Sequence, residues 1–478
     1  MSDERLLDVR NPRTGEYDYR IAPADAGAVS AAAARLRAGQ PAWAARPLEQ
    51  RIGVLGDWVD ALSRYRQELL DALVADTGRH FVSVAEIGGV AGTVQRWSRL
   101  APEILAEPLR SSSVPGITYR TQLVPVPLVG AISPWNFPLT LSLIDAIPAL
   151  IAGCAVLVKP SEVTPRFVAP LAAALAEVPE LDAVLGFVQG DGATGAALID
   201  NVDAVCFTGS VATGRKVGAA AAARFIPAFL ELGGKDPMVV LASADPKQAA
   251  ATALRASVTA TGQACQSIER VYVAREIFDE FVAELVAAAE RVELNWPDIH
   301  AGHIGPLIFD RQAETIHTQL EDAVARGARI RCGGEIETHG GGLWIRPTVV
   351  TGVDHGMALM REETFGPVIP VMPFDTVEEA VALANDSEFG LSAAVLGGSL
   401  EEAEAVGRQL EAGAVSLNDG AMTAQFYEAE KDSFKSSGLG GSRMGPAGMR
   451  RFLRRRALIR QENAPVTIEA VAERHGRP

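Results

Sequence analysis

Apolar residues recur at helical spacing between positions 25 and 108, which predicts that this part of the chain is helical. The helical segments expected there are 28–36, 47–65 and 67–77. The second of these is amphipathic, with Arg and Glu on its outer face. Pro41, Pro47 and Gly78 are expected to separate the helices, since Pro and Gly interrupt helical hydrogen bonding.

From Gly130 onward, short apolar runs alternate with helical segments. Residues 155–158 are wholly apolar, as a strand buried on both faces of a parallel sheet should be. The segments expected around them are a helix at about 139–151 that ends at Gly153, a helix at 165–176, a strand at 186–188, a helix at 193–200, a strand at 204–207 and a helix at 211–223. This alternation predicts a doubly wound α/β domain.

A second α/β set is expected after Gly234. Its predicted elements are a strand at 238–241, a helix that ends before Gly262, a strand at 270–273, a helix at 276–292 and strands at 347–350 and 393–396. Between the helical region and the first α/β set, residues 116–127 alternate like a strand but include Pro125 and Pro127. Prolines suit an edge strand or an excursion from the sheet rather than a central strand.

Composition restricts the class of protein further. A chain of 478 residues should form two or three domains. Its net charge of −15 disfavours nucleic acid and anionic membranes, so a small molecule is the expected partner. Residues 1–5 carry acids instead of a signal peptide, and apolar runs are too short for a membrane span, so a cytoplasmic protein is expected. The basic run 450–456 is interpreted as a solvated helix face.

Neither cysteines nor histidines predict a metal site. The four cysteines are far apart in sequence and include no Cys-x-x-Cys pair, which disfavours both disulfides and zinc. His300 and His303 are close in sequence but have no evident third ligand. No metal is therefore assigned.

Two segments offer the parts of a covalent catalytic pair. Glu231 precedes Leu-Gly-Gly-Lys and can act as a base, while Cys265 follows Gly-Gln-Ala and can act as a nucleophile. Either residue alone is a weak signal, because a lone cysteine is usually a buried hydrophobe and Glu before two glycines is usually a turn.

Two further motifs predict nucleotide binding. Lys159-Pro160-Ser161-Glu162 directly follows the buried strand, at the edge where doubly wound sheets bind ligands. A Lys and a Glu there can bind ribose hydroxyls, although a solvated turn is an equal alternative. The glycine-rich segment 207–214 lies between a strand and a helix, where backbone N–H groups can bind phosphate or simply cap the helix.

Six motifs in order resemble those of the aldehyde dehydrogenase superfamily, in its NAD(P)-dependent, hydrolytic, non-CoA-acylating type. They are Pro-Trp-Asn-Phe-Pro at 134–138, Lys-Pro-Ser-Glu at 159–162, Phe-Thr-Gly-Ser at 207–210, Glu-Leu-Gly-Gly-Lys at 231–235, Gly-Gln-Ala-Cys at 262–265 and Glu-Thr-Phe-Gly-Pro at 363–367. The spacing from Glu231 to Cys265 also fits, and the likeness extends from about Asn11 to about Ile459.

The resemblance implies a Rossmann-like cofactor domain, a second α/β catalytic domain and a small β arm for oligomerisation. The expected ranges are 1–111 and 128–233 for the cofactor domain, 234–445 for the catalytic domain, and 112–127 with 446–478 for the arm and C-terminal segment. Residues 116–127 are expected to pair with a strand around 457–461. The expected assembly is a homodimer, or a tetramer built as a dimer of dimers.

The resemblance also implies the catalytic roles. Cys265 attacks the aldehyde carbon, and Asn136 with the backbone N–H of Cys265 holds the alkoxide. After hydride transfer to the nicotinamide, Glu231 activates the water that hydrolyses the thioester. The cofactor-binding residues implied are Ile132, Ser133, Pro134, Trp135, Lys159, Glu162, Gly192, Phe207, Gly209, Ser210, Leu232, Gly233, Glu363 and Phe365. NAD is expected over NADP, because Glu162 lies where the 2′-phosphate of NADP would.

For the substrate, family alignment implies a mostly apolar tunnel. The residues expected to line it are Leu141, Ile144, Ala264, Gln266, Ser267, Met422, Phe426 and Tyr427. Asp145, Glu428 and Glu430 lie nearby in sequence, and no Lys or Arg is evident there to bind a second carboxylate. An aromatic or medium-chain aliphatic aldehyde is therefore expected. The alternatives are a semialdehyde dehydrogenase, a CoA-acylating relative and a non-catalytic scaffold.

Three departures from the family pattern stand out. Ala260 replaces a common Asn five residues before the nucleophile. Residues 431–434, Lys-Asp-Ser-Phe, replace Pro-Phe-Gly-Gly, and 437–443 replace Ser-Gly-x-Gly-Arg-Glu without a second glutamate. The last change puts any second proton route in doubt.

Overall fold

The computed structural model describes residues 5–424, 426–465, 467–471 and 473. Two large sheets with helices account for most of this part of the chain. A three-stranded antiparallel sheet is formed by segments within residues 110–125 and 453–461. The outer limits of the expected domain ranges, residues 1 and 478, lie outside the described residues.

The first sheet has six strands, and all but one edge pair are parallel. Their order across the sheet is Gly438–Leu439, Ala228–Glu231, Ala204–Thr208, Leu128–Ile132, Ala155–Lys159 and Leu185–Phe187. The central strands are buried almost throughout because helices contact the sheet, so their sequences are continuously apolar. The doubly wound α/β arrangement is confirmed, and its carboxyl edge carries Lys159 and Glu231.

Helices of the first 223 residues surround this sheet. They are Ala26–Ala44, Leu48–Arg64, Arg66–Thr77, His80–Ile104, Pro138–Leu143, Ala146–Ala152, Val168–Ala176, Pro179–Asp182, Gly192–Ile199 and Val211–Ala223. The predicted break at Pro41 is wrong, because Ala26–Ala44 continues through it. Two buried side chains hold the helical turn around Pro41 in place. Gln40 Nε2 donates to the Gly153 carbonyl at 3.0 Å, and Trp43 Nε1 donates to the Leu150 carbonyl at 2.8 Å.

The single helix expected at 139–151 is instead two helices, which meet at Ile144 and Asp145. Asp145 is buried, and its carboxylate is bound by two arginines from the end of the chain. That tertiary contact overrides the local helical pattern. The expected end at Gly153 is confirmed, with φ of 101° at the helix C-terminus.

The second sheet has seven strands, with one antiparallel pair at an edge. Their order is Arg329–Cys332, Thr348–Thr351, Val368–Phe374, Ile268–Ala274, Asp236–Val240, Ser392–Leu396 and Ala414–Leu417. The α-helices in this part of the chain are Pro246–Val258, Phe278–Ala289, Arg311–Ala325, Ala358–Arg361, Val377–Asn385, Leu400–Gly407 and Ala447–Arg450. Among the described residues, none of the helices combines the length and apolar character needed to cross a membrane.

Shorter elements complete the description. Two-stranded sheets pair Leu7–Arg10 with Tyr17–Ile21, Ile336–His339 with Gly342–Ile345, and Phe389–Gly390 with Phe434–Lys435. Single 3₁₀ turns occur at Thr259–Gly262, Arg275–Ile277, Met422–Ala424 and Ile468–Val471.

Residues 434–439 connect the two halves of the molecule. Phe434–Lys435 pairs with Phe389–Gly390, next to the second sheet, and Gly438–Leu439 then joins the edge of the first sheet. In that pairing Gly438 lies opposite Glu231. The segment therefore brings the C-terminal part of the chain to the predicted catalytic base.

The antiparallel sheet contains Ile117–Pro125, Leu453–Gln461 and the short strand Arg110–Ser111. Ala457 lies opposite Thr121 in this sheet, so the pairing expected for residues 116–127 is confirmed. The interpretation of 450–456 as a solvated helix face is wrong. The helix ends at Arg450, residues 453–456 belong to the strand, and Arg451 is held inside the protein by Asp145.

Candidate active site

Cys265 lies in a sharply turned loop that follows the helix Pro246–Val258. Ala260, Thr261 and Gly262 have φ angles of 56°, 62° and 66°. The third position requires glycine, since a Cβ there would lie 2.4 Å from the backbone of Gly366. Left-handed backbone at a non-glycine residue costs about 1–2 kcal/mol, so surrounding contacts must hold the loop.

Hydrogen bonds from two fully buried side chains anchor this loop. Gln263 Nε2 donates to the Pro306 carbonyl at 3.1 Å, and its Oε1 accepts from the Ile308 N–H at 2.9 Å. Thr261 Oγ1 donates to the Gly305 carbonyl at 3.0 Å. Two residues of the loop are therefore hydrogen-bonded to the neighbouring segment 305–308.

Arg79 supports the backbone of the cysteine loop at Ala260, where the family commonly has the longer side chain of Asn. Its guanidinium donates to the Ala260 carbonyl at 3.4 Å and also to the carbonyl of Asn136. The Ala260 carbonyl accepts a second hydrogen bond from the Gln263 N–H at 3.2 Å. Arg79 thus connects the cysteine loop to the predicted oxyanion donor. This role was not predicted, because Arg79 lies in none of the motifs.

Asn136 is buried beside the same loop. Its Nδ2 donates to the carbonyl of Gln263 at 3.0 Å, which leaves its second amide hydrogen available. Its Oδ1 has no hydrogen-bond partner among the described residues. The amide is thereby fixed next to the cysteine loop, and one of its hydrogens can still donate to a ligand.

The Cys265 thiol is in an environment that disfavours its charged form. Burial raises its pKa to about 12, and the nearby carboxyl groups of Glu363, Asp236 and Glu231 act in the same direction. The ammonium of Lys431 opposes them. Reaction as a nucleophile therefore requires stabilisation of the thiolate.

Glu231 ends its strand with a carboxylate that is largely buried. Ser433 Oγ donates to Glu231 Oε2 at 3.1 Å. Arg443 Nε lies 3.9 Å from Oε1 and has no hydrogen-bond partner of its own among the described residues. Both neighbours come from the stretch that departs from the family pattern.

Arg443 is part of a buried charge cluster with Asp145 and Arg451. Arg443 Nη2 donates to Asp145 Oδ2 at 2.9 Å and to Thr208 Oγ1 at 2.7 Å, and Arg451 binds the other oxygen of Asp145. Burial alone would raise the pKa of Asp145, but the two arginines hold it below its usual value. Burial also opposes the charge of Arg443, yet Asp145 and Glu231 hold its pKa above the usual value.

A cavity of about 1070 Å³ extends from the carboxyl edge of the first sheet to Cys265 and Asn136. Every residue expected to bind the cofactor lines it. These residues are Ile132, Ser133, Pro134, Trp135, Lys159, Glu162, Gly192, Phe207, Gly209, Ser210, Leu232, Gly233, Glu363 and Phe365. Phe309, Gln312 and Lys216 also line the cavity and were missed, since they lie outside the motifs.

The lining fits a dinucleotide. Ser210 Oγ accepts from the Thr213 N–H at 3.3 Å and caps a thirteen-residue helix. Both residues line the cavity, which places a helix N-terminus, a favourable site for phosphate, at its wall. Lys159 Nζ donates to Glu162 Oε2 at 2.9 Å, which places a donor and an acceptor together for a ribose. At Gly233 a Cβ would lie 2.8 Å from the Glu363 carboxylate, so a larger residue there would have to displace that carboxylate.

The turn that carries Glu363 and Phe365 is held by a buried ion pair. Lys235 Nζ donates to Glu269 Oε2 at 2.7 Å. The same carboxylate accepts from the N–H groups of Thr364 and Phe365 at 2.7 and 2.8 Å. Burial raises the pKa of Glu363 to about 8, with Glu269 adding to the effect. The Phe365 ring meets Trp135 edge-on at 5.3 Å.

A second cavity of about 760 Å³ lies on the other side of the helix that follows Asn136. Its lining includes Phe137, Thr140, Ile144 and Tyr427, together with Arg96, Arg99, Glu86 and Glu428. The sequence showed no Lys or Arg near the expected tunnel, but the structure places Arg96 and Arg99 in the same cavity as Ile144 and Tyr427, two of the residues expected to line it. Both arginines lie on His80–Ile104, which carries none of the motifs that signalled the site.

The residues expected to line a substrate tunnel are distributed over several environments. Leu141 lines the first cavity with Cys265, whereas Ile144 and Tyr427 line the second. Gln266 Oε1 accepts from Thr423 Oγ1 at 2.7 Å, Ser267 is buried in the cysteine loop, and Met422 and Phe426 are exposed. Asp145 is not in either cavity lining but in the buried charge cluster, and Glu430 accepts from the Ala447 N–H at 2.8 Å.

The sequence matches the model of the aldehyde dehydrogenase family over residues 1–458. The chain belongs to this family, and it is an NAD(P)-dependent dehydrogenase of that class. The predicted enzyme class and fold class are thereby confirmed.

Three comparisons define its neighbours. A protein of Mycolicibacterium smegmatis named "Putative succinate-semialdehyde dehydrogenase (NADP+)" is 37% identical over 456 residues, which cover 93% of this chain and 88% of that protein. The solved structure of "Putative Aldehyde Dehydrogenase PutA" from Anabaena variabilis is 54% identical, with a TM-score of 0.96 over 97% of this chain and 99% of that one. Betaine aldehyde dehydrogenase of Staphylococcus aureus in complex with NAD+ is 28% identical, with a TM-score of 0.91 over 99% and 95%.

Proposed function

We propose that the protein oxidises an aldehyde to the carboxylic acid through a covalent intermediate on Cys265. The observation that carries this proposal is that Cys265 and Asn136 line one cavity with every residue expected to bind the dinucleotide. A thiol and a buried amide at that place supply a nucleophile and a donor for an oxyanion.

In the first half of the reaction, the thiolate of Cys265 adds to the aldehyde carbon. Negative charge then develops on the former carbonyl oxygen. The free amide hydrogen of Asn136 and the backbone N–H of Cys265 stabilise that charge, and loss of one such donor typically costs about 3 kcal/mol. NAD(P)+, when bound, would accept the hydride that leaves this carbon, and this two-electron oxidation converts the adduct into a thioester.

In the second half, the thioester that remains on Cys265 is hydrolysed. Glu231 takes a proton from water, whose oxygen attacks the acyl carbon and releases the acid and the thiol. Ser433 and Arg443 orient this carboxylate. Retention of Glu231 favours hydrolysis over the CoA-acylating alternative, in which a thiol replaces water as the acyl acceptor.

For the cofactor, we favour NAD over NADP. Glu162 is bound by Lys159 at the ribose end of the cavity, so its carboxylate would repel a 2′-phosphate. Glu162 is 41% exposed and Lys216 also lines the cavity, features that make NADP the second candidate. The relatives include one named for NADP+ and one solved with NAD+.

For the substrate, two aldehyde classes have support. An aldehyde that also carries a carboxylate is the first candidate, because Arg96 and Arg99 line the second cavity and one relative is named a semialdehyde dehydrogenase. An aromatic or medium-chain aliphatic aldehyde is the second candidate, because Phe137, Ile144 and Ile147 line the same cavity.

One experiment tests the reaction, the cofactor and the substrate together. NADH or NADPH formation is measured for succinic semialdehyde, hexanal and benzaldehyde with the wild type and with Cys265→Ala. We expect kcat/KM to be highest for NAD with succinic semialdehyde, and the variant to bind cofactor but to lose turnover. Cys154→Ala, at a buried cysteine outside the site, is the matched control. Equal turnover in Cys265→Ala would refute the proposed function, and a preference for hexanal or benzaldehyde would exclude the first substrate class.

A further inference from the structure

Lys431 is a buried lysine whose charge has no bonded partner. Its residue is 7% exposed, and Nζ has no hydrogen-bond partner among the described residues. Only its backbone is fixed, since the Lys431 N–H donates to Ser442 Oγ at 3.0 Å. An ammonium has three hydrogens to donate, and a buried charge without a partner is strongly unfavourable.

Lys235 shows what a buried lysine in this protein normally has. It is 1% exposed, and its Nζ donates to Glu269 Oε2 at 2.7 Å and to Thr364 Oγ1 at 2.8 Å. The two lysines therefore differ in their bonding. Lys235 holds a turn together, whereas the three hydrogens of Lys431 Nζ have no acceptor among the described residues.

Lys431 lies in the segment that contacts the predicted catalytic base. Two residues further on, Ser433 donates to Glu231. A Cβ on Gly234 would lie 2.6 Å from the Cys265 carbonyl oxygen and 2.8 Å from Asp236 Oδ1, so the cysteine loop and this carboxyl group are in direct proximity. Lys431 acts electrostatically on both Cys265 and Asp236.

Asp236 does not serve as the counter-charge of the Lys431 ammonium. Its two oxygens are bound by the N–H and the hydroxyl of Ser392, and they form no ion pair with Lys431 among the described residues. Burial raises the pKa of Asp236 to about 7, so near neutral pH it carries only part of a charge. The other acidic groups that influence Cys265 are Glu231 and Glu363, which have partners of their own.

We propose that Lys431 is the counter-charge of the Cys265 thiolate and thereby sets the reactivity of the nucleophile. This inference rests on the proposed role of Cys265 as nucleophile. Ionisation of the thiol releases one proton to solvent and leaves a negative charge close to the unpaired ammonium. The thiolate offsets the cost of the buried lysine, and the lysine offsets the repulsion from Glu363, Asp236 and Glu231. Arg443, which also senses the charge of Cys265, is already bound to Asp145.

The test measures the pH dependence of alkylation of Cys265 by iodoacetamide, followed by mass spectrometry of its peptide. Lys431→Met removes the charge and keeps much of the side-chain volume, while Lys431→Arg keeps the charge. Lys435→Met is the matched control in the same segment, since Lys435 Nζ is bound to the Asn385 carbonyl at 2.7 Å. Cys332, a half-buried thiol on another strand, is the internal reference within each sample.

Loss of a cation raises the pKa of a thiol, so the profile of Lys431→Met should move upward by roughly one pH unit. Below that pKa, alkylation of Cys265 at fixed pH should be about tenfold slower, with Cys332 unchanged. Lys431→Arg should recover most of the rate, and Lys435→Met should match the wild type. Circular dichroism and cofactor binding establish that each variant is folded.

An unchanged Cys265 profile in folded Lys431→Met would overturn the inference, as would an equal shift in Lys435→Met. If Lys431→Met does not fold, failure of folded Lys431→Arg to alkylate at the wild-type rate overturns it instead. These outcomes are separate from the proposed function, which fails only if Cys265→Ala still oxidises aldehydes.

Discussion

Glu231 is positioned by residues that are distant in sequence but adjacent in the fold. Its carbonyl accepts from the Gly209 N–H at 3.1 Å, and its carboxylate accepts from Ser433. The guanidinium of Arg443 is the nearest cation, 3.9 Å away. One oxygen is thus held by a hydroxyl, while the other retains lone pairs with which to bind a water proton.

Replacement of Glu231 by Gln should separate the two halves of the reaction. The amide keeps the shape and can still accept from Ser433, but it cannot take a proton from water. A burst of NADH should survive, and steady-state turnover should fall by about 10²–10⁴-fold. Stopped-flow absorbance measures both phases, with Glu362→Gln at an exposed position as the control. If the burst disappears together with turnover, Glu231 acts before the thioester forms.

At the scale of elements, the cluster of Asp145, Arg443 and Arg451 connects the helices after Asn136 to the end of the chain. Arg451 also lies over the rings of Phe229 and Phe452, at 4.9 and 5.0 Å. A buried ion pair is costly to break from one side, because the remaining charge keeps its desolvation penalty. The cluster therefore fixes the position of Arg443 beside the catalytic cleft.

Arg443→Met should destabilise the protein by about 3 kcal/mol or more, since it leaves Asp145 with a single buried partner. Arg408→Met is the control, because Arg408 forms only an exposed ion pair with Glu404. The pKa of Asp145 is lower in the folded protein than in the unfolded chain. Its contribution to the free energy of unfolding is therefore present above the unfolded-state pKa and is lost as pH falls through the folded-state pKa. In urea unfolding between pH 3 and 7, the free energy of unfolding should decrease less on acidification in Arg443→Met than in the wild type. Equal stability of the two variants at pH 7 would contradict the assigned role of the cluster.

Local patterns predicted those elements whose partners are also local. The strand Ala155–Lys159 and the helix Val211–Ala223 are found at the positions that periodicity and glycine-rich turns indicated. The break at Asp145 was missed, because it depends on arginines about 300 residues away. Motifs likewise located the cofactor cavity, but not Arg79 or Arg96, which reach the site only through tertiary packing.

At the scale of the whole molecule, the antiparallel arm has an open edge. Leu453–Gln461 pairs with Ile117–Pro125 on one side, and its outer edge pairs with no strand among the described residues. After Leu453 every residue of this strand is exposed, including Leu458 and Ile459. An open edge with exposed apolar side chains favours pairing with another chain. We therefore propose a homodimer, or a tetramer built as a dimer of dimers, assembled through this arm.

Ile459→Lys should weaken that assembly. Ile459 is 69% exposed and lies opposite Tyr119 in a strand that also carries Arg454, Arg455 and Arg456, so an added cation would increase repulsion at a shared edge. Light scattering at micromolar concentration should give the mass of a dimer or tetramer for the wild type and a smaller mass for the variant. Leu400→Lys is the control, because Leu400 is 59% exposed on a helix remote in sequence from the arm. A monomeric wild type would contradict the proposed assembly, and equal dissociation by Leu400→Lys would exclude the arm as its specific interface.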